Sequence, residues 1–261
     1  MIHPIPPGTR DVLPEEMREL RALTGRLHAT FEQAGYGEVW TPALEYEGVL
    51  RTGDDRSAGA GYRLFDEHGE VLALRSDMTI PIARVVATRF VDEEPPFRLC
   101  YFAHSYRAPA RGSGQPVEFL QGGIELIGVE APEGEAEVVA LIVRALDEAG
   151  LRRHRVGVGD GSLYRNLLAS LGVPEDRHLP LLERLSRRDL AGLALDVERL
   201  GLPADARDLL TRLPELRGGP EVLERADGHV AGAMEGLRAL HARLEEHGVA
   251  GRVIFDLGLV R

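Results

Sequence analysis

The stretch that decides the fold runs from Tyr101 to Arg107 (YFAHSYR), passes through a loop rich in glycine and proline, and continues from Glu118 to Gly128 (EFLQGGIELIG). This pattern predicts two strands joined by a flexible loop. Side chains alternate between the faces of a strand, so Gln121, Gly123 and Glu125 share one face of the second strand. An amide and a carboxylate that flank a position without a side chain form a small polar slot.

This polar slot has two interpretations. A carboxylate accepts hydrogen bonds from ammonium donors and an amide both donates and accepts, so the pair suits a polar ligand. Unpaired polar groups are costly to bury, and a buried slot of this kind needs a polar occupant. The other interpretation is a half-exposed edge strand with ordinary surface polar groups. The alternation by itself leaves both open.

Composition and charge limit the class of protein. A chain of 261 residues can bury a core, either as one domain with a large insertion or as two small domains. The formal net charge of −11 makes it a poor general binder of nucleic acid. The first residues lack the pattern of a signal peptide, and no stretch approaches a membrane span. We therefore expect a cytoplasmic protein with no membrane and no nucleic-acid partner.

Metal, cofactor and thiol chemistry have little support in the sequence. Cys100 lies in an apolar strand, which favours a small core residue over a nucleophile. No cluster has zinc spacing, and we interpret His104 as structural. Gly157–Ser162 (GVGDGS) has only part of a dinucleotide-binding pattern, because Ser162 replaces the third glycine and no βαβ unit surrounds it. We expect neither a metal nor a cofactor.

The first 150 residues mix helices with hairpin-linked strands. A helix is predicted from Pro14 to Gly35, and a hairpin has Gly69 in its turn. The following helix can be capped by Ser76, Asp77 or Thr79. This is an α+β pattern around a mainly antiparallel sheet flanked by helices.

The pattern changes after a short strand that begins at Val156. Residues 161–250 show helical periodicity and are rich in leucine, which predicts a helical insertion. An apolar strand from Arg252 to Arg261 is then expected to return to the sheet. We therefore predict a core of residues 1–160, completed by residues 251–261, and an insertion of residues 161–250.

Several segments together resemble histidyl-tRNA synthetases. Pro7–Pro14 (PGTRDVLP) and Gly35–Glu45 (GYGEVWTPALE) are similar to the opening of that family and its first class II motif. Leu74–Thr79 (LRSDMT) resembles the segment whose acidic residue meets the amino group of histidine. Phe97–Gly128 resembles the second class II motif, and Leu259–Arg261 the start of the histidine-specific loop. The resemblance implies a class II aminoacyl-tRNA synthetase-like fold.

Departures from the synthetase pattern point to one branch of this family. Asp77-Met-Thr followed by Ile80–Arg84 (IPIAR) is similar to the synthetase-like regulatory subunit of ATP phosphoribosyltransferase. Arg107 matches the arginine that holds the ATP α-phosphate, but the two loop arginines of the synthetases fall at Gln115 and Val117. Because adenylate formation depends on fixed cations around the phosphate, the resemblance implies that the nucleotide chemistry is lost.

Two further differences concern the same nucleotide site. Pro109 stands where the synthetases have glutamate. In the family, the third class II motif and the anticodon-binding domain follow the position of Arg261, so this sequence does not include them. Arg107 is then either a remnant of an anion or nucleotide site or a support for the fold.

The amino-acid half of the site, by contrast, is retained. Asp77, Gln121 and Glu125 match the family positions that hold histidine, so the resemblance identifies the polar slot as a histidine site. It implies a non-catalytic regulatory subunit that binds histidine as an effector. Its expected assembly is a homodimer within a hetero-oligomer that contains the short-form ATP phosphoribosyltransferase catalytic subunit, in the first step of histidine biosynthesis. A fragment of a catalytic synthetase and a free-standing histidine-binding protein are the alternatives.

Overall fold

A computed structural model of the protein describes residues 5–53, 61–108, 114–225 and 230–259. The chain divides into two compact units. The first contains Met1–Val129 with Glu148–Gly150, and the second contains Glu130–Asp147 with Leu151–Arg261. No helix in the described ranges is long and apolar enough to cross a membrane.

The first unit combines helices with two three-stranded sheets. In chain order its elements are α1 (Pro14–Gln33), β1 (Gly37–Glu38), β2 (Leu44–Tyr46), α2 (Glu47–Gly53), β3 (Arg63–Phe65), β4 (Val71–Leu74), α3 (Thr79–Arg89), β5 (Phe97–Tyr106) and β6 (Glu118–Ile127). One sheet has the order β1-β5-β6 and the other β2-β4-β3. β1 is parallel to β5, and the other three pairs are antiparallel. The predicted α+β class with a mainly antiparallel sheet is confirmed.

Local signals account for α1 and for the β3–β4 hairpin. Pro14 occupies the first turn of α1, where a missing N–H removes no helical hydrogen bond. Gly35 follows the helix with φ +85° and Gly69 forms the hairpin turn with φ +84°, a backbone region that only glycine adopts readily. Phe31, on the buried face of α1, stacks on Phe102 of β5 with ring centroids 5.8 Å apart. Both predicted elements are confirmed.

The β5–β6 hairpin is the longest strand pair of the first unit. Its ladder runs from the Phe97–Ile127 pair to the Tyr106–Glu118 pair, and it places Tyr101 opposite Gly123. The predicted strand, loop and strand are confirmed. Residues 109–113 of the connecting loop, which include Pro109 and Arg111, lie outside the described ranges.

Arg75 joins the two sheets of the first unit. Its side chain is only 3% exposed, and its Nε donates to the carbonyl of His104 at 2.9 Å. Its Nη1 donates to the carbonyl of Thr41 at 2.7 Å and to that of Pro42 at 2.9 Å. The carbonyl of Arg75 accepts from the backbone N–H of Tyr106. Burial lowers the pKa of Arg75, and the three carbonyls compensate for its desolvation. This junction fixes the start of the segment that carries Asp77.

The second unit is mainly helical. Its elements are α4 (Glu133–Glu148, of which Glu148 groups with the first unit), β7 (Val156–Val158), α5 (Leu163–Ser170), α6 (Glu175–Ser186), α7 (Leu190–Glu198), α8 (Ala204–Arg212), β8 (Arg217–Gly218), α9 (Ala231–Glu246) and β9 (Val253–Asp256). Leucine side chains dominate its core, among them Leu167, Leu193 and Leu244, which are completely buried. The predicted helical character of this region is confirmed.

The last strand differs from its prediction. β9 ends at Asp256, whose carboxylate accepts from the backbone N–H of Gly258 at 3.1 Å and thereby closes a turn. β9 pairs with β7, from the predicted core, and with β8, from the predicted insertion, rather than with β5 or β6. The chain therefore groups β7, β9 and the helices in one unit. That residues 161–250 are an insertion stays a prediction.

Candidate functional site

A cluster of polar side chains lies on one face of the β5–β6 hairpin and at the start of α3. We call it the polar cluster, and its members are Asp77, Thr79, Tyr101, Ser105, Gln121 and Glu125. The register puts Ala103 directly opposite Gln121, with Tyr101 and Ser105 as diagonal neighbours on the same face. The structure thus brings together the three residues that the sequence assigned to histidine binding.

Gln121 is held at both ends of its amide. The hydroxyl of Ser105 donates to Oε1 of Gln121 at 2.9 Å, and Nε2 of Gln121 donates to the hydroxyl oxygen of Tyr101 at 3.2 Å. The short side chain of Ala103 lets the amide reach both neighbours. Gln121 is therefore a fixed side chain and not a freely rotating surface amide.

Gly123 has a different role from the one expected. A Cβ at this position would lie 2.4 Å from the hydroxyl oxygen of Tyr101 and 2.6 Å from its Cζ. The space over Gly123, predicted to be part of an open slot, is occupied by the Tyr101 ring. The glycine therefore accommodates a protein side chain, and the polar surface on offer lies around Tyr101.

Glu125 and Asp77 are linked through Thr79. The hydroxyl of Thr79 donates to Oε1 of Glu125 at 2.9 Å, and the backbone N–H of Thr79 donates to Oδ1 of Asp77 at 3.0 Å. Asp77 therefore accepts from the first residue of α3, and its negative charge lies near Glu125. The predicted side-chain cap is not formed, because the N-cap residue of α3 is Met78. Burial raises the pKa of Glu125, the hydrogen bond from Thr79 opposes this, and the charge of Asp77 adds to it.

The two carboxylates make the polar cluster electronegative. Within the part of the chain that the structure describes, neither Asp77 nor Glu125 forms a salt bridge. Burial, followed by the charges of Glu125 and Asp77, raises the pKa of Tyr101 to about 12, so its phenol stays protonated at neutral pH. Two acids without a cationic partner favour a ligand that carries positive charge.

Arg107 lies at the loop end of the hairpin, outside this hydrogen-bonded set. Its guanidinium carbon is 4.8 Å from the centroid of the Phe119 ring, a cation–π distance. Its backbone N–H donates to the carbonyl of Val117 at 2.8 Å, and the N–H of Val117 donates to the carbonyl of Gly8 at 2.8 Å. Arg107 is exposed, and its guanidinium is stacked on an aromatic ring.

Three members of the polar cluster were not among the predicted site residues: Thr79, Tyr101 and Ser105. Thr79 was considered only as a helix cap. Tyr101 and Ser105 lie on the same face of β5 as Ala103. Which residues of β6 they meet depends on the strand register, which the sequence did not provide.

Cys100 and Arg10 lie outside the polar cluster. Burial raises the pKa of the Cys100 thiol to about 11, in agreement with a core residue. Arg10 forms a salt bridge with Glu16, which lies in the first turn of α1. No group of three or more His, Cys, Asp and Glu side chains in the described ranges is arranged to hold a metal ion.

Comparisons with known proteins identify several similar chains. The model of the histidyl-tRNA synthetase family matches residues 8–261. A protein of Desulforamulus reducens named ATP phosphoribosyltransferase regulatory subunit is 38% identical over 98% of this chain and 65% of its own length. The chain thus spans slightly less than two thirds of that relative.

Solved structures show the same fold. A Bacillus halodurans protein described as an ATP phosphoribosyltransferase regulatory subunit/histidyl-tRNA synthetase superposes with a TM-score of 0.92 at 32% identity, covering 100% of this chain and 70% of the other. A histidine–tRNA ligase subunit from Alicyclobacillus acidocaldarius superposes with a TM-score of 0.80 at 30% identity, covering 100% and 82%. The class II synthetase-like fold expected from the sequence is confirmed.

Proposed function

Since the chain belongs to the histidyl-tRNA synthetase family, we propose that it is a non-catalytic regulatory subunit of ATP phosphoribosyltransferase that binds histidine. Its role is to assemble with the short-form catalytic subunit in the cytoplasm and to transmit feedback inhibition of the first step of histidine biosynthesis. The name carried by the Desulforamulus reducens relative supports the regulatory part of this proposal.

The observation that carries the proposal is the pair of acids Asp77 and Glu125, bridged by Thr79 and without a salt-bridge partner among the described residues. Histidine supplies an α-ammonium group that this pair can accept. In the proposed complex Glu125 and Asp77 bind the ammonium group, and the fixed amide of Gln121 binds alongside them. Hydrogen bonds that involve a charged group contribute about 1.5–3 kcal/mol each, enough for a specific metabolite site.

The anion side of the site supports a non-catalytic role. Arg107 remains as a stacked guanidinium, while Gln115 and Val117 occupy the positions of the other two loop arginines in the resemblance. The backbone of Val117 is bonded to Gly8, so this part of the loop anchors the N-terminal segment. We propose Arg107 as the remnant of an anion or nucleotide site.

A partly exposed apolar sheet face supports assembly as a homodimer. Leu44 and Tyr46 of β2, Leu72 and Leu74 of β4, and Leu64 of β3 share one face of the β2-β4-β3 sheet. Tyr46 is 54% exposed and Leu64 is 43% exposed. Contiguous apolar surface of this kind is typical of protein interfaces, and the homodimer is proposed to use it within the larger complex.

The decisive experiment measures ATP phosphoribosyltransferase activity of a short-form catalytic subunit from the same organism, alone and with this chain. We expect activity to require the chain and to be inhibited by histidine. Glu125→Ala should raise the histidine concentration for half-inhibition by about ten- to a hundred-fold, measured against the uninhibited rate of each complex. Glu67→Ala, an exposed acid in the β3–β4 turn, is the matched control and should behave as the unmodified chain.

Two results would contradict the proposal. One is that the chain and the catalytic subunit elute unchanged from size exclusion at micromolar concentration. The other is histidine-dependent adenylate formation by the chain, which would favour the synthetase alternative suggested by the likeness to the Alicyclobacillus acidocaldarius subunit.

A further inference from the structure

Thr41, in the segment between β1 and β2, carries a buried hydroxyl and is only 1% exposed. Nη1 of Arg75 donates to its Oγ1 at 3.0 Å, and the same Oγ1 lies 3.8 Å from the sulfur of Met78, a hydrogen-bond distance for this larger atom. A guanidinium only donates and a thioether only accepts, so each contact has a single possible direction. The Thr41 hydroxyl therefore accepts from Arg75 and donates its one proton to Met78.

Met78 anchors the segment that precedes α3. Its side chain is completely buried and packs in a core cluster that also contains Tyr101. Its carbonyl accepts the backbone hydrogen bond that opens α3, at 3.0 Å. Its neighbours along the chain are Asp77 and Thr79, which both belong to the polar cluster. Because they share the backbone of Met78, the position of its side chain determines how they approach Glu125.

We propose that Thr41 is a positioning residue of the polar cluster, which holds the Met78 side chain in place and thereby keeps the Thr79 hydroxyl within hydrogen-bond distance of Glu125. The inference rests on the proposed histidine site and deepens it, because Thr79 prepares Glu125 to accept an ammonium group. The action of Thr41 is indirect and passes through Met78.

The ionisation of Glu125 provides a readout that loss of stability alone would not change. Burial raises the pKa of Glu125, the hydrogen bond from Thr79 opposes this rise, and the charge of Asp77 adds to it. Among the described residues, Tyr101 is the other titratable group that interacts with Glu125, and its phenol stays neutral. If Thr79 is displaced, the opposing bond is lost and the pKa of Glu125 rises further. Histidine binding, which needs the ionised carboxylate, then requires a higher pH.

The variant that tests the proposal is Thr41→Val, which removes the hydroxyl and keeps the branched shape of the side chain. Nη1 of Arg75 carries two protons and also contacts the carbonyls of Thr41 at 2.7 Å and Pro42 at 2.9 Å, so neither proton loses its acceptor. We therefore expect a folded chain, which circular dichroism checks. Thr41→Ser retains the hydroxyl. Thr88→Val, which removes an exposed hydroxyl from α3, is the matched control.

The first arm of the test is calorimetric titration with histidine at several pH values, on the full chain in the complex. Thr41→Val should bind about three- to ten-fold more weakly at neutral pH, and its affinity should rise only at higher pH. Thr41→Ser and Thr88→Val should behave as the unmodified chain. A weaker affinity without a change in the pH profile would overturn the inference.

A double-mutant cycle tests the route through Thr79. Thr79→Val removes the hydrogen bond to Glu125 directly, so adding Thr41→Val to it should cost little more. The double variant is therefore expected to lose less affinity for histidine than the product of the two single losses. Losses that simply multiply would overturn the inference.

The last arm needs no ligand. The chain is labelled with glutamate that carries an NMR-active isotope at its carboxyl carbon, and the Glu125 signal is identified by its absence in Glu125→Gln. The pKa of Glu125 should be higher in Thr41→Val than in the unmodified chain and unchanged in Thr41→Ser. An equal pKa in Thr41→Val and the unmodified chain would overturn the inference. The expected rise in a chain that does not bind histidine would support the positioning role and reject the proposed effector.

Discussion

The phenol ring of Tyr101 on β5 lies directly over Gly123 on β6, close enough that any Cβ at residue 123 would meet the hydroxyl oxygen at 2.4 Å. The glycine is thus required by a neighbouring side chain, since its φ is not in the left-handed region. Tyr101 in turn receives the N–H of Gln121, so the missing side chain at residue 123 is a condition for the geometry of the whole polar cluster.

Gly123→Ala should destabilise the first unit by about 1–3 kcal/mol, the usual effect of overpacking, because the buried Tyr101 ring must move. Urea unfolding measures this. Tyr101→Leu in the same chain should recover part of the loss by vacating the space. Gly25→Ala is the control: this exposed helical glycine has open space around its Cβ position, and alanine should stabilise by about 0.5–1 kcal/mol.

Histidine binding should strengthen as pH rises through the raised pKa of Glu125. The carboxylate must be ionised to accept an ammonium group, and burial together with Asp77 keeps it protonated to higher pH than an ordinary glutamate. Glu125→Gln should bind about ten-fold more weakly at neutral pH and lose this component of the pH dependence. Calorimetric histidine-binding titrations of the unmodified chain and of Glu125→Gln at several pH values measure this difference. Protonation of the histidine ligand affects both proteins equally and cancels in the comparison.

The raised pKa of Glu125 affects the pH dependence of folding stability in the opposite direction to that of histidine binding. The folded chain holds the Glu125 proton more tightly than the unfolded chain, so stability should fall as pH rises from the ordinary glutamate range through the raised pKa. Unfolding of the unmodified chain and of Glu125→Gln over this interval should show the decline only in the former. An equal pH slope in both would exclude Glu125 as its source.

Arg75→Lys should destabilise the first unit by about 2–4 kcal/mol, because an ammonium group cannot reach the carbonyls of Thr41, Pro42 and His104 together. Thermal and urea unfolding measure the change. Arg18→Lys, at an exposed position of α1, should have almost no effect. Equal stabilities for the two variants would show that the junction between the sheets does not depend on the guanidinium.

Leu64→Glu and Tyr46→Glu should each shift the chain from dimer to monomer in sedimentation velocity at micromolar concentration. Each variant places a charge on the partly exposed apolar face of the β2-β4-β3 sheet, where burial against a second copy would be costly. Glu67→Lys, in the β3–β4 turn, changes the charge of the same hairpin and should leave the dimer intact. If both glutamate variants remain dimers, the dimer interface lies elsewhere on the chain.

The chain should give no histidine-dependent pyrophosphate exchange. Each charge-stabilising contact missing at Gln115 and Val117 is expected to raise the barrier for adenylate formation by about 3 kcal/mol. A catalytic histidyl-tRNA synthetase serves as the positive control under the same conditions. Exchange clearly above the level without enzyme would show that the nucleotide chemistry is retained.

Local features of the sequence determined most of the elements. Helical spacing between Pro14 and Gly35 predicted α1, and a glycine between two short apolar runs predicted the β3–β4 hairpin. Alternation along β6 correctly placed Gln121 and Glu125 on one face. These signals depend on residues within a few positions of each other. Because side chains repeat every 3.6 residues in a helix and every 2 in a strand, such spacing shows directly which residues share a face.

Only the tertiary structure decided which other segments the faces of these helices and strands contact. The bond from Thr79 to Glu125 joins residues 46 positions apart. The pairing of β9 with β7 joins segments still further apart along the chain. Strand register and the contacts between distant segments depend on how the whole unit packs. The local spacing of residues in the sequence does not contain this information. For that reason the sequence identified the acids and the amide of the polar cluster, while only the packed chain showed that Tyr101 fills the space over Gly123.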